Sequence, residues 1–324
     1  SYNAGGRDMK EKIYIPIRIS EEILTDEIAK KLAENKDKKI LLEILDEDFT
    51  SINIKKQEEI LIQINKVLKE YKGFGIKIMS TPDSIDKNNL KLLKKYKVKE
   101  IELTIESSND YILKNIGIAY KYDDAKKIAK KIKSYRFLLS VKTILGLPES
   151  TVADDLNTIR QVIKFKPEQM TLIPCNADYN KNVERLAEQN EFTPLAKIQI
   201  VERLKESIKL IAHTKIKNIK IGEDSQYIEE MPIVQFRNLV ASEIWYERII
   251  ELIKSYNVKV KEVEIEVNNL DVDNVKGAEN KNLEQLKDVY DVELHVSENN
   301  KLAKGNYKMK ILKTYTDFLE DNEN

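Results

Sequence analysis

Carboxylates recur in the short segments that follow strand-like runs of the sequence. Asp46, Glu47 and Asp48 end one run, Asp83 lies in the turn after another, and Glu106 ends a third. In a parallel β/α fold the carboxyl ends of the strands meet at one edge, where barrel enzymes carry their chemistry. Carboxylate oxygens are the ligands that Mg²⁺ and Ca²⁺ prefer. Asp46, Asp48, Asp83 and Glu106 are therefore a candidate metal site, and the alternative is a set of solvated acidic loops.

Cys175 is the only cysteine, and it follows a short apolar run that ends in Pro174. A reactive thiol needs a lowered pKa, which a nearby base or helix N-terminus supplies. Of the two histidines, His213 ends a predicted helix and His295 alternates with apolar residues of a predicted strand. We therefore expect a buried, inert thiol and predict no catalytic residue.

The elements that position these residues alternate between strands and helices. In the clearest stretch, two β-branched runs at 98–106 and 137–145 flank a lysine-rich helical pattern at 122–134. Such spacing predicts parallel strands. Further strands are predicted at 12–19, 39–45, 75–79, 169–174 and 216–221, and further helices at about 21–35, 56–71, 87–95, 152–165 and 194–213. About six parallel β/α units predict a TIM-type (β/α) barrel, partial or complete, in preference to a doubly wound sheet.

The pattern changes after residue 223, where a small α+β module is predicted. Its elements are a helix at 234–254, a strand at 260–267, a helix at 282–290, and strands at 292–296 and 307–311. The predicted domains are thus a barrel at 9–223 and a C-terminal module at 224–324. Residues 1–8 show no periodicity and resemble an expression remnant in front of Met9.

Composition narrows the possible partners and compartments. The 324 residues include 55 basic and 55 acidic side chains, so the formal net charge is zero. This balance provides no global attraction to DNA or to an anionic membrane, and we expect neither as a partner. One cysteine cannot form a disulfide within the chain, and no apolar run reaches the length of a membrane helix. We expect a cytoplasmic protein.

Several motifs stand in a recognisable order along the chain. They include Ile101-Glu-Leu-Thr-Ile-Glu-Ser-Ser108, Leu145-Gly-Leu-Pro-Glu-Ser-Thr151, Lys166-Pro-Glu-Gln-Met-Thr-Leu-Ile-Pro174 and the segment 237–245. Together these motifs resemble the radical S-adenosylmethionine (radical SAM) superfamily, and within it they are most similar to the elongator catalytic-subunit-like bacterial branch. The resemblance covers about residues 13–311.

The departures from this family concern its chemistry. The resemblance implies a 4Fe–4S cluster on Cys-x3-Cys-x2-Cys directly after the first strand, together with S-adenosylmethionine. Residues 19–22 read Ile-Ser-Glu-Glu, and one thiol elsewhere cannot replace three. The glycine pair that would receive the methionine amino group is replaced by Asp46 and Glu47. We therefore expect no cofactor and no reductive cleavage of S-adenosylmethionine.

Two glycine-containing loops are candidate binding segments. Gly146, Leu147 and Pro148 match a loop that borders the cofactor in the family, so residual adenosyl binding there is possible in principle; the alternative is a turn-forming role. The segment 275–280 resembles the KH-like Gly-x-x-Gly loop that clamps a nucleotide backbone. Lys276, Gly277 and Lys281 are its candidate RNA contacts. The second glycine is replaced by asparagine, and an ordinary helix-start loop is the alternative.

These features predict a radical SAM-like protein without its cluster, a pseudoenzyme that binds or regulates. Its partner would be an unidentified protein, such as a true family member, or RNA. One alternative is an enzyme that uses the strand-end carboxylates around a metal ion. Another is a weak RNA-binding protein that uses its C-terminal module.

Overall fold

A computed structural model describes most of the chain and divides it into two compact units. The described residues are 12–18, 25–35, 38–71, 74–216, 218–223 and 226–315. The proposed remnant at 1–8 and the cysteine-free segment 19–22 lie outside them. The barrel unit comprises Arg7–Leu195 and Leu210–Lys220, and the C-terminal unit includes Ala196–Lys209 and Ile221–Asn324.

The barrel unit is built on one parallel sheet whose strands follow the order of the sequence. The strands are β1 (Lys12–Ile17), β2 (Lys39–Ile44), β3 (Gly75–Ser80), β4 (Val98–Thr104), β5 (Leu138–Leu145), β6 (Gln169–Pro174) and β7 (Asn218–Ile221). They form a curled half-barrel of partial TIM type. The predicted fold class is confirmed.

Helices connect successive strands, and several of them begin at a residue whose side chain caps the first turn. They are α1 (Thr25–Glu34), α2 (Ile54–Glu70), α3 (Lys87–Lys95), α4 (Asp110–Asn115), α5 (Tyr122–Ser134), α6 (Val152–Ile163), α7 (Lys181–Glu188) and α8 (Lys197–Ala212). The Asp86 side chain accepts hydrogen bonds from the first-turn N–H groups of α3, and Thr151 does the same for α6. Each cap thus starts its helix directly after a strand-end loop.

Contacts across the sheet show how strongly it curls. Strands β1 and β4 are three positions apart, which is roughly 14 Å along a flat sheet. The Tyr14 hydroxyl on β1 nevertheless lies 3.0 Å from the Glu100 carboxylate on β4. Their side chains must therefore meet inside the curve of the half-barrel, which we call the lumen.

The C-terminal unit contains the predicted α+β module. Its further elements are β8 (Tyr227–Ile228), β9 (Met231–Pro232), α9 (Ile233–Ser255), β10 (Val260–Val267), α10 (Val272–Lys276), α11 (Lys281–Tyr290), β11 (Glu293–Glu298) and β12 (Tyr307–Thr314). Central β10 pairs parallel with β11 and antiparallel with β12. Apolar residues of β10 pack against Trp245 and Ile249 of α9, which forms the core of the unit. None of the helices in the described part of the chain is long and apolar enough to cross a membrane.

Candidate functional site at the carboxyl ends of the strands

The Asp48 side chain links the loop after β2 to the loop after β3 through hydrogen bonds. Its Oδ1 accepts hydrogen bonds from the Ser80 hydroxyl at 3.2 Å and from the Thr81 N–H at 3.2 Å, and it also accepts one from Ser84. Its Oδ2 accepts one from the Thr81 hydroxyl at 2.9 Å. Because several donors already surround this carboxylate, a loop-bracing role accounts for Asp48 without a metal ion.

The other candidate metal ligands are spread along the same edge. Asp46 Oδ1 accepts the Asp48 N–H at 3.0 Å, Asp83 is exposed, and Glu106 is buried. Among the residues that the structure describes, no group of three or more His, Cys, Asp or Glu side chains could hold a metal ion. The carboxylate metal site stays a prediction that this geometry does not favour.

Glu106 is the most perturbed acid at this edge. Its side chain lies beneath Tyr120 and Tyr179, and both tyrosine hydroxyls donate hydrogen bonds to the carboxylate, the second at 3.3 Å. Burial raises the pKa of Glu106 to about 7, although the two tyrosines oppose this shift; the Asp83 charge adds to it. Glu106 therefore changes its charge near neutral pH while held by two phenols.

Cys175 and the Gly146 loop are packed into the chain. Cys175 is 3% exposed and joins an apolar cluster with Leu147 and Ile173. Burial raises the pKa of its thiol to about 12, so it remains protonated at neutral pH. The Gly146 N–H donates to Asp155 Oδ2 at 2.9 Å, so this donor is already used within the chain.

The lumen contains buried charges that the sequence analysis did not identify. Lys77 on β3 is 1% exposed, and its Nζ lies 2.7 Å from Glu43 of β2 and also contacts Glu102 of β4. Near the amino ends of the strands, Lys12 Nζ lies 3.0 Å from Glu100. A signal existed in the sequence, since the polar residues Glu100, Glu102 and Thr104 alternate with Ile101 and Leu103 along β4. Strands buried on both faces usually read as continuous apolar runs instead.

The candidate RNA loop joins α10 to α11 in a strained backbone conformation. Gly277, Glu279 and Asn280 have φ values of 74°, 52° and 64°. Lys281 Nζ lies 3.2 Å from Glu243, and the buried Asn282 amide fastens the loop by donating to backbone carbonyls. The loop thus has the predicted position between two helices, while one of its candidate cations is paired within the protein.

The two histidines belong to other elements than the strand-end carboxylates. His213 is exposed immediately after α8. His295 lies on β11 with its side chain 44% exposed, and its Nε2 is 3.8 Å from Glu293 and 4.0 Å from Glu262. Neither approaches Cys175 or Glu106 in any contact of the described residues, so the structure does not assemble a Cys–His pair.

Comparison with known proteins shows what the chain is similar to. The curled parallel sheet and its polar lumen define a β/α protein of the partial TIM-barrel class. The model of the radical SAM superfamily matches residues 9–162. This match confirms the resemblance that the motifs predicted. No curated protein sequence matches the chain.

One solved structure supports the same fold. The chain is similar to the archaeal Methanocaldococcus infernus Elp3 with residues 1–46 deleted, with 15% identity and a TM-score of 0.61, over 82% of this chain and 68% of that one. It is also similar to coproporphyrinogen III oxidase (HemN) from Escherichia coli, a radical SAM enzyme, with 14% identity and a TM-score of 0.43 over 62% and 52% of the two chains. A third similar structure is SuiB from Streptococcus suis, with 13% identity and a TM-score of 0.43 over 65% of this chain and 48% of that one. Only the first likeness is close enough to support the fold.

The residues present do not fit the cluster that the superfamily implies. A 4Fe–4S cluster is held by cysteine thiolates, and Cys175 is the only cysteine in the sequence. It follows β6, is buried, and has a raised pKa that disfavours the thiolate. The segment after β1, where the family carries its cysteines, has none in the sequence.

Proposed function

We propose that this chain is a radical SAM-like protein that has lost the cluster and acts by binding or regulation instead of catalysis. The main observation in support is that the only thiol of the sequence is buried, since a cluster needs several thiolates. Reductive cleavage of S-adenosylmethionine needs the electron that the cluster supplies. The partner is an unidentified protein, such as an active family member, or RNA. The expected cytoplasmic location stays a prediction.

The polar lumen supports this proposal. Paired side chains of the protein itself occupy the curve of the sheet, with Lys77 between Glu43 and Glu102 and with Tyr14 against Glu100. Fully buried charges are stabilised only when they are paired, so these groups are committed to one another. A reactant would have to separate such pairs in order to occupy that level of the lumen.

The two other functions receive less support. A metal-dependent enzyme would need ligands that converge, whereas Asp48 already accepts hydrogen bonds from Ser80 and Thr81. An RNA contact at the loop between α10 and α11 would use Lys276 and Lys281, of which the second is paired with Glu243. We therefore favour neither.

Anaerobic reconstitution with iron and sulfide tests the proposal. We expect a colourless protein, and we expect no 5′-deoxyadenosine after addition of dithionite and S-adenosylmethionine. Cys175→Ser is the matched control, because it should behave as the unaltered protein does in both measurements. A stable 4Fe–4S absorption spectrum, or deoxyadenosine formed in proportion to protein, would overturn the proposal.

A further inference from the structure

The loops at the amino-terminal edge of the half-barrel present basic residues in a repeated position. Lys97, Arg136 and Lys166 precede β4, β5 and β6, and their φ values are 55°, 63° and 51°. Glycine or asparagine usually occupies such left-handed positions after a helix. The comparable left-handed residue at the carboxyl edge, in the loop after β5, is the acidic Glu149 with φ 62°. Of these four left-handed residues, the three at the amino-terminal edge are basic and the one at the carboxyl edge is acidic.

The helix dipole explains only some of the basic residues at this edge. Lysines in the last helical turns favour the negative end of the helix dipole. Two of them also bind carbonyl groups, since Lys94 Nζ donates to Tyr135 O at 2.9 Å and Lys133 Nζ donates to Phe165 O at 2.7 Å. In contrast, Lys97, Arg136 and Lys166 lie in the loops that follow the helices, outside the last helical turns. Within the described ranges, none of Lys97, Arg136 and Lys166 forms a salt bridge.

An exposed aromatic ring lies in the same row. Phe74 directly precedes β3, and its side chain is 37% exposed. Lys39 Nζ of β2 lies over the ring at 5.7 Å from its centroid, and Lys99 Nζ of β4 also lies over it, at 6.0 Å. An exposed ring beside cations is the arrangement that stacks a base of a single-stranded nucleic acid. An acidic peptide would use the cations and would have no need of the ring.

The spacing of these groups suits a nucleic acid strand. Neighbouring strands of a sheet are about 4.8 Å apart, so the starts of β3 to β6 span roughly 14 Å. A stacked strand with a rise of 3.4 Å places about four phosphates along that length. Acidic residues at the carboxyl edge, including Asp46 and Asp83, disfavour the opposite orientation.

We propose that the amino-terminal edge of the half-barrel binds single-stranded nucleic acid, with a base stacked on Phe74 and phosphates at Lys97, Arg136 and Lys166. The neutral net charge of the chain does not oppose this, because a local group of cations attracts phosphate whatever the total charge. The proposal is independent of the loss of the cluster, since it uses the opposite edge of the sheet.

Fluorescence anisotropy with labelled single-stranded RNA and DNA tests the proposal on the full chain. Three phosphate contacts predict a slope of about −2 for log K against log salt concentration. The variant Lys97→Asn/Arg136→Asn/Lys166→Asn should bring the slope close to zero, and asparagine tolerates the left-handed backbone. Phe74→Leu should weaken binding roughly tenfold with the slope unchanged. The control Lys276→Gln/Lys281→Gln should bind as the unaltered protein does.

Three outcomes would overturn the proposal, provided that circular dichroism shows each variant folded. The first is no salt-dependent binding of either oligonucleotide. The second is equal competition by polyglutamate together with no effect of Phe74→Leu, which would indicate an acidic protein partner. The third is binding lost only in the Lys276→Gln/Lys281→Gln control, which would assign RNA recognition to the C-terminal unit. Tighter binding of RNA than of DNA would show that the ligand is a ribonucleic acid, and it would support the proposed site.

Discussion

Lys77→Met tests whether buried ion pairs hold the lumen together. The Lys77 side chain is 1% exposed and contacts Glu43 and Glu102, whose side chains are 14% and 3% exposed. Methionine nearly preserves the length and volume of the side chain, so the substitution removes the charge with little loss of packing. Glu102 is then left buried and short of its cation.

The magnitude follows from the cost of an uncompensated buried charge. Removing one partner of a buried pair costs roughly 3–5 kcal/mol. Lys142 and Thr171 still stabilise the Glu102 carboxylate, so we expect the lower end, about 3 kcal/mol. Burial pushes the pKa of Glu102 up, but the Lys77 and Lys142 charges hold it below its ordinary value. In the unaltered protein this contribution to stability is therefore present at neutral pH and is lost as the pH falls through the lowered pKa. In Lys77→Met, the effect of burial on the pKa of Glu102 should outweigh that of the remaining cation, so the carboxyl group takes up a proton more easily. The loss of stability relative to the unaltered protein should therefore become smaller as the pH falls.

Urea unfolding at pH 7 and pH 5 measures both effects. We expect the midpoint of Lys77→Met to fall by about 1 M at pH 7, and by less at pH 5. Lys77→Met/Glu102→Gln should recover most of the loss, because it removes the orphaned charge. Lys56→Met is the matched control, since its pair with Glu59 is about 60% exposed and should contribute no measurable stability. A loss below about 1 kcal/mol, or a double variant no better than the single one, would refute the reasoning.

Three further predictions concern the strand-end edge and its loops. The folded pKa of Glu106, about 7, lies above its ordinary 4.5, so its contribution to stability is full below pH 4.5 and is lost as the pH rises through 7. Glu106→Gln should remove about 2.5 kcal/mol of this pH dependence in urea titrations at pH 5 and 8. An unchanged profile would contradict the assignment. Gly117→Ala should lower the free energy of unfolding by more than about 2 kcal/mol, because a Cβ there would lie 1.7 Å from Asn182 Nδ2 at φ 76°. Gly305→Ala, at φ 83° with open space around it, should cost about 1 kcal/mol, and equal losses would argue against the close contact. Cys175 should resist a thiol-reactive dye at pH 8 until urea unfolds the chain, because its pKa is raised to about 12; rapid labelling of the folded protein would show an accessible thiolate.

Elements with strong local signals could be predicted closely from the sequence. The predicted helices at 87–95 and 122–134 and the strands at 169–174 and 260–267 coincide with α3, α5, β6 and β10. Each has a clear apolar period or a cap, such as Asp86 before α3, so its bounds depend on nearby residues. The short helices α4 and α7 were not predicted, because a helix of six or eight residues depends on tertiary packing for its stability.

In the candidate site too, some features could be predicted from the sequence and others depend on tertiary packing. Its carboxylates could be placed at the strand ends, because parallel strands bring their carboxyl ends to one edge. Their environments could not be predicted: Glu106 receives hydrogen bonds from Tyr120 and from Tyr179, which are 14 and 73 residues away in sequence. The perturbed pKa of Glu106 arises from that burial.

The sequence by itself determined the parallel β/α architecture, the resemblance to the radical SAM superfamily and the shortage of thiols, because periodicity, motif order and residue counts need no tertiary contact. Tertiary structure alone decided which charges are paired in the lumen and which remain at its amino-terminal edge. Lys12 and Glu100 are 88 residues apart and meet only because the sheet curls. Lys97, Arg136 and Lys166 fall on one face only because β4, β5 and β6 are neighbours in the sheet.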